Sequence, residues 1–464
     1  MSRVRLADRL GQAAAIVLAL GCGLFAAAAD CPPLPDAFLA GTEVTPALSG
    51  VQVAVLSQGE VVCSYAQGTA RFLDGGDAEE LAIHHKMRVA SISKLAVALA
   101  VIKLVENSEI DLDTDVSGYL GFTLRNPSYP DAPITLRQLL SHTSSIRDGS
   151  RYWLDPAETL QAFFEPGSER FEGGAHFASG EGRAPGNYFR YANLNFGIIA
   201  GVIEQVTGTR FDRYVKESVL EPLGVATASF NPCEVLTSGA PLATLHRKRT
   251  GNAAWDPEGP WREQVDGAQV TCAIGLPPRA RSELVSPFDP VPDYPMGSNP
   301  TYFSPQGGLR ASAEDVAVLL AALIPRDNAA VSAATVAAMI APSWTLNADQ
   351  SNGMTTEFDD PDGDFSGLMS SYGLSVHIVD LASWGLGPDA PVVVGHLGEA
   401  YGLLGLALID PEMGDGLTFL ITGTADDPAA SPIGVTPLYR VEEEILRWWV
   451  ETFMSEARPA PSPR

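Results

Sequence analysis

The chain has 464 residues, 45% of them apolar and 19% charged, which is enough to bury one large core or two modest ones and is unlike low-complexity composition. Its 56 acidic residues outnumber 30 basic ones, for a formal charge of −26. A field of that sign repels polyanions, so nucleic acid and anionic membrane surfaces are not expected partners, and the acidity otherwise reads as solvated surface.

The first stretch, MSRVRLADRLGQAAAIVLALGCGLFAAAADCPP, places Arg3, Arg5 and Arg9 before an apolar run that ends in small residues at Ala27 and Ala29. That layout predicts a secretory signal over residues 1–29, cleaved after Ala29, and hence a periplasmic or secreted protein. The run from Ala13 to Ala29 is short for a bilayer span of about 20 residues, so no stable membrane span is expected after processing. A retained anchor, or lipidation at Cys22, is the alternative. Cleavage would remove three arginines and Asp8, moving the charge from −26 to −28. Cys31, Cys63, Cys233 and Cys272 would remain, an even number bound for an oxidising compartment. Nearest-neighbour pairing gives Cys31–Cys63 and Cys233–Cys272; four buried thiols is the other reading.

Residues 49–72 read as two β-rich runs joined at Gln58-Gly59, a hairpin. Ser91 to about Glu106, SISKLAVALAVIKLVE, is apolar on nearly every face apart from Lys94 and Lys103, the pattern of a helix buried in the centre of a fold. Helical stretches follow near 134–141, 193–207 and 211–221, then a Pro- and Gly-rich insertion of loops from about 230 to 305. Ser312, with Glu314 and Asp315 behind it, opens a helix over 312–324. Short strands are expected at 372–380, 391–397, 402–410 and 417–423, and an amphipathic helix at 436–453. Strands at both ends of the chain with helices between them predict an α/β (α+β) fold. It would be an antiparallel β-sheet flanked by helices, built from both chain ends, with an inserted, mostly helical lobe. The catalytic unit would span 30–455, with a sheet lobe at about 30–110 and 367–455, a helical and loop lobe at about 111–366, and a disordered tail at 456–464.

Ser91 and Lys94 stand three apart at the start of the central helix, so their side chains share a face. A lysine among Leu95, Ala96 and Val97 would be desolvated, which lowers its pKa and lets it accept the serine proton. Backbone N–H groups at the helix start would face a developing oxyanion. The chain has five lysines, and Lys94 alone has a serine three residues before it.

The surrounding segments, RVASISKLAVALAVIKLVENSEIDLDTDV, ITLRQLLSHTSSI, APGNYFRYANLNFGIIAGVIEQVTG, QGGLRASAEDVAVLL and GHLGEAYGLLG, resemble in order the serine β-lactamase and D-alanyl-D-alanine carboxypeptidase family. The likeness runs from residue 49 to 450 and extends to class C β-lactamases, D-aminopeptidases and related esterases. It implies a β-lactamase/transpeptidase-like fold and acyl transfer through an acyl-enzyme, with Ser91 as nucleophile. It implies that Tyr191, in the one Tyr-x-Asn of the chain, moves protons with Lys94, and that Asn193 orients Lys94 and the substrate amide. The third motif of the family carries lysine or histidine on a strand. No lysine follows Lys248, so His396-Leu397-Gly398 is the match, with Gly398 admitting the substrate backbone and Glu399 giving the second oxyanion N–H.

Histidine is mostly neutral at pH 7, so carboxylate affinity should fall and β-lactam turnover should be weaker than peptidase, amidase or esterase activity. His142 reads as structural. Asp360, Asp362 and Asp364 space carboxylates as a calcium loop does, but Ser371 stands where the twelfth-position acid belongs, so no metal and no cofactor are expected. The partner is a small-molecule or peptide substrate, and the oligomeric state is open. A β-lactamase proper and a slow penicillin-binding or peptidoglycan-sensing protein are the rival readings.

Overall fold

The computed structural model describes residues 31–73, 77–155, 158–250, 255–266, 295–355 and 367–454. The expected signal, the acidic triplet at 360–364, Cys272 and the tail lie outside the described residues.

In chain order the described strands are β1 (Leu48–Ser57), β2 (Glu60–Phe72), β3 (Ala78–Glu80), β4 (Met87–Arg88), β5 (Leu245–Lys248), β6 (Trp261–Val265), β7 (Arg310–Ala311), β8 (Trp344–Thr345), β9 (Ser371–Tyr372), β10 (His377–Asp380), β11 (Val392–Ala400), β12 (Leu403–Ile409) and β13 (Gly416–Thr424). One sheet runs β3-β2-β1-β13-β12-β11-β10-β9-β8, and β4 pairs with β7 apart from it. The N-terminal hairpin meets the C-terminal strands where β1 lies antiparallel to β13, with Val53 opposite Phe419. The fold is therefore the mixed α/β arrangement expected, an antiparallel sheet assembled from both ends and flanked by helices.

Side chains alternate across the middle strands, which explains why their sequences are apolar without a break. Ala54 and Leu56 of β1, Ala407 and Ile409 of β12 and Leu420 of β13 join the core around the Ser93–Glu106 helix. Val53, Val55, Leu406, Leu408 and Phe419 face the other way, onto Ile445, Leu446 and Trp449 of the Arg440–Trp449 helix. That helix is amphipathic; Arg440 and Arg447 pair with buried Glu443, and Arg440 also pairs with Glu444. At the β1–β2 hairpin Gln58 has φ 54° and Gly59 φ 82°, the left-handed pair that a two-residue turn of the right twist requires.

Four expectations need correction. The strand read over 372–380 is two strands, because Leu374 and Ser375 turn their N–H groups to the Met339 and Leu140 carbonyls instead of the sheet. The 230–305 insertion is not all loop: β5 lies parallel to β13 and antiparallel to β6. The α-helix expected over 211–221 covers Phe211–Val215 and widens to π geometry at Lys216–Leu220. The closing helix starts at Arg440, four residues late, since Leu438 and Thr436 are taken up by side-chain contacts.

Cys31, Cys63 and Cys233 are each disulfide-bonded, in keeping with the expected Cys31–Cys63 bridge. Among the described residues, no helix is long and apolar enough to cross a membrane.

Candidate active site

Ser91 does not sit on the first turn of the α-helix. It lies in a 3-10 turn, Ala90–Ile92, that feeds the helix beginning at Ser93. Ala90 is buried with φ 45°, a left-handed conformation that costs an alanine about 1–3 kcal/mol unless its surroundings impose it. They do here, because Val89 N donates to Leu309 O and Ser93 Oγ accepts from Leu309 N, clamping the turn against the Gly307–Leu309 segment.

Lys94 is fully buried one turn on. Its Nζ reaches Ser91 Oγ at 2.8 Å, Asn193 Oδ1 at 3.0 Å and the backbone carbonyl of Gln306 at 2.8 Å. The Gln306 carbonyl can only accept. Asn193 is held in one orientation because its Nδ2 donates to Asp148 Oδ2 at 3.1 Å, leaving Oδ1 toward the amine. The other Asp148 oxygen accepts from Leu194 N at 2.8 Å, at the start of the Leu194–Thr207 helix. The Lys94 nitrogen therefore faces two fixed acceptors as well as the serine. With the amine neutral, its lone pair falls at Ser91.

Tyr191 closes the other side. Its ring centroid lies 4.8 Å from Lys94 Nζ, and the Phe196 ring lies 5.2 Å away. His142 stacks on Tyr191 at 4.3 Å between centroids.

Strand β11 brings the third segment to Ser91. A Cβ on Gly398 would stand 2.6 Å from Val89 O and 3.5 Å from Ala90 Cβ, so the strand passes against the turn that carries Ser91 and only glycine permits it. Two residues earlier, on the same face, His396 is buried. It does not open to solvent, since its Nε2 pairs with Tyr372 Oη at 3.0 Å, its Nδ1 with Leu397 O, and its ring packs 4.7 Å from His377. Burial first, then the neighbouring His377 and Lys94, push its pKa well below 6.5, so it is a neutral imidazole behind the site. Glu399 turns its carboxylate to Tyr439 Oη, at 3.3 Å.

The sequence signature of the Beta-lactamase family matches residues 37–433. This chain belongs to the beta-lactamase family. Its curated relatives include the D-alanyl-D-alanine-carboxypeptidase/endopeptidase AmpH of Escherichia coli (strain K12), 28% identical over 32% of this chain and 37% of the relative. The D-aminopeptidase of Brucella anthropi is 30% identical over 39% of this chain and 33% of the relative. The chain thus spans little more than a third of the curated relatives it matches. Among solved structures, the D-amino acid amidase of Ochrobactrum anthropi SV3 superposes with a TM-score of 0.57 at 18% identity, covering 87% of this chain and 93% of the amidase, which shows the shared fold.

The candidate site also contains groups that no sequence motif announces. Asp148, in the loop SSIRDGS, carried no motif, and Gln306 acts through its backbone. His142 accepts from Ala192 N and from Asn195 Nδ2 on Nδ1, each at 3.2 Å, which pins the ring under Tyr191. Burial and the charge of Lys94 push its pKa well below 6.5. Its place in LLSHTSSI was a signal, but nothing in that pattern announced the stacking. Among the described residues no cluster of three His, Cys, Asp or Glu side chains is placed to hold a metal ion.

Proposed function

We propose that this beta-lactamase-family protein is an exported hydrolase that works through an acyl-enzyme on amide or ester carbonyls of D-amino-acid-containing peptides or small esters. The observation that carries the reading is the Lys94 amine, buried and held by Asn193 Oδ1 and Gln306 O so that it addresses Ser91 Oγ. In the forward step Ser91 Oγ attacks the carbonyl, Lys94 with Tyr191 takes its proton, and Tyr191 returns a proton to the leaving group. Water then attacks the ester through the same pair. The turn N–H at Ser91 and that of Glu399, next to Gly398, are the candidate oxyanion donors. The relatives named for D-alanyl-D-alanine and D-amino-acid substrates support the substrate class, and the Arg-then-apolar-then-Ala N-terminal pattern supports export.

His396 is neutral and engaged by Tyr372, so it offers no cation to the carboxylate of a β-lactam, and cephalosporin turnover should be weak. The test is a panel of D-Ala-D-Ala peptide, D-amino-acid amide, short-chain nitrophenyl ester and nitrocefin, run with wild type and Ser91→Ala. Multiple turnovers on the ester, amide or peptide that vanish in Ser91→Ala support the proposal. Stoichiometric labelling without release points to a penicillin-binding sensor, and a nitrocefin kcat/KM equal to that of the best substrate points to a β-lactamase.

A further inference from the structure

Three residues before the nucleophile lies a guanidinium that the mechanism does not use. Arg88 is 8% exposed. On the short β4–β7 pair it stands directly opposite Arg310, so the two cationic side chains share a face. Arg310 is neutralised, because its Nε and Nη2 form a bidentate pair with buried Asp266 at 2.9 and 2.8 Å, and its Nη1 binds the Gly308 carbonyl. That carboxylate is spent on Arg310. Arg88 donates Nε to Gly307 O at 2.8 Å and lies 4.9 Å from the Tyr401 ring centroid. Among the described residues it has no ion pair, and its two Nη groups donate to no carboxylate.

A nearly buried cation facing a second cation, with one carboxylate between the two, is an unfavourable arrangement for folding alone. Burial and Arg310 pull the Arg88 pKa down, while Tyr401 and Asp266 partly oppose them. Its position is functional ground. Gly307, whose carbonyl holds Arg88, follows Gln306, whose carbonyl holds Lys94. A Cβ on Gly307 would lie 3.5 Å from the Ala90 backbone, in the turn that carries Ser91. Tyr401 follows the β11 segment that lines the same turn from the other side and keeps part of its surface in solvent.

We infer that Arg88 is a binding residue for a free carboxylate on the substrate, its two Nη groups forming the paired donors that a planar carboxylate accepts. The inference rests on the hydrolase reading above and narrows it to anionic acyclic amides or esters. It separates this site from one that relies on a cation at the His396 position.

The experiment uses two matched substrate pairs, nitrophenyl hemisuccinate with its methyl ester and a D-Ala-D-Ala peptide with its C-terminal amide. The readout is the acid-to-neutral ratio of kcat/KM. In wild type the acid should be preferred in at least one pair, and Arg88→Gln should cut that ratio about 10- to 100-fold, the loss expected when a charge-assisted pair is removed. Arg88→Lys should retain part of it. A ratio that is the same in wild type and Arg88→Gln overturns the inference. Should Arg88→Gln not fold, wild type alone decides: monomethyl succinate should inhibit hydrolysis of the neutral ester, its amide should not, and the difference should shrink as salt rises. Equal inhibition by acid and amide overturns the inference. Failure of the hydrolase reading looks different, because then none of the four substrates turns over, or Ser91→Ala turns them over equally well.

Discussion

Lys94 Nζ lies 2.8 Å from Ser91 Oγ although the whole lysine side chain is sealed from solvent. The buried amine also meets two acceptor-only neighbours, Asn193 Oδ1 and Gln306 O, and neither of these can take the proton from the serine. Replacing Lys94 by Met should lower kcat/KM about 10²- to 10⁴-fold, the span attributed to a positioned general base. Lys94→Arg should be no better, since a guanidinium keeps its proton. Partial rescue by arginine in a steady-state assay would show that the position needs only positive charge.

Asp148 sets which end of the Asn193 amide meets the lysine. In Asp148→Asn the new amide can itself donate toward Asn193, so the Asn193 group can turn its NH₂ to Lys94 and spoil the alignment. A fall of about 10- to 100-fold in kcat with little change in KM is expected, as for loss of a hydrogen bond to a charged group. Removing a negative charge near the amine also favours its neutral form, so the acid limb of the kcat/KM profile should move to lower pH. A variant with reduced rate but an unmoved acid limb would confine Asp148 to packing.

Gly398 is where strand β11 touches the Ser91 turn. An alanine Cβ would meet Val89 O at 2.6 Å, and because that oxygen belongs to the backbone the strand must retreat. Gly398→Ala should cost about 10²-fold in kcat, the scale of removing one oxyanion donor, with far-UV circular dichroism unchanged. Full activity in that variant would dissociate β11 from the reaction.

Stability should depend on pH in two opposite ways. His246 and His377 are buried and held near a pKa of about 3, far below 6.5, with desolvation the main cause. Their contribution is therefore complete above pH 6.5 and is lost as pH falls toward 3, because the unfolded chain binds the protons first. Glu442 is the reverse case, buried and raised to about 8 from 4.5. Its contribution is complete below about pH 4.5 and is lost as pH rises through 8. Thermal melts should show Glu442→Gln flattening the decline on the alkaline side; an identical alkaline limb in wild type and variant would contradict the assignment.

The sequence showed the central helix and the sheet strands because their burial on all sides leaves an unbroken apolar signature, as in β12 and β13. Ser91 and Lys94 were legible because their contact is one helical turn long. Asp148 was not, since its partner lies 45 residues away and a single carboxylate in a loop has no pattern. His396 was found by its motif, but its burial against Tyr372 and His377 arises from a strand break at 373–376 that periodicity does not encode. The pairing of β5 with β13 was equally hidden, because a four-residue strand inside a Pro-rich insertion is named only by its neighbour.

The most direct measurement is peptide mapping by mass spectrometry after reaction with a fluorophosphonate or a slowly released acyl donor. The adduct should sit on Ser91 in wild type, form far more slowly in Lys94→Met, and be absent in Ser91→Ala. An adduct on any other side chain, or undiminished labelling after the serine hydroxyl is gone, would contradict the assignment of Ser91 as the group that carries the acyl intermediate.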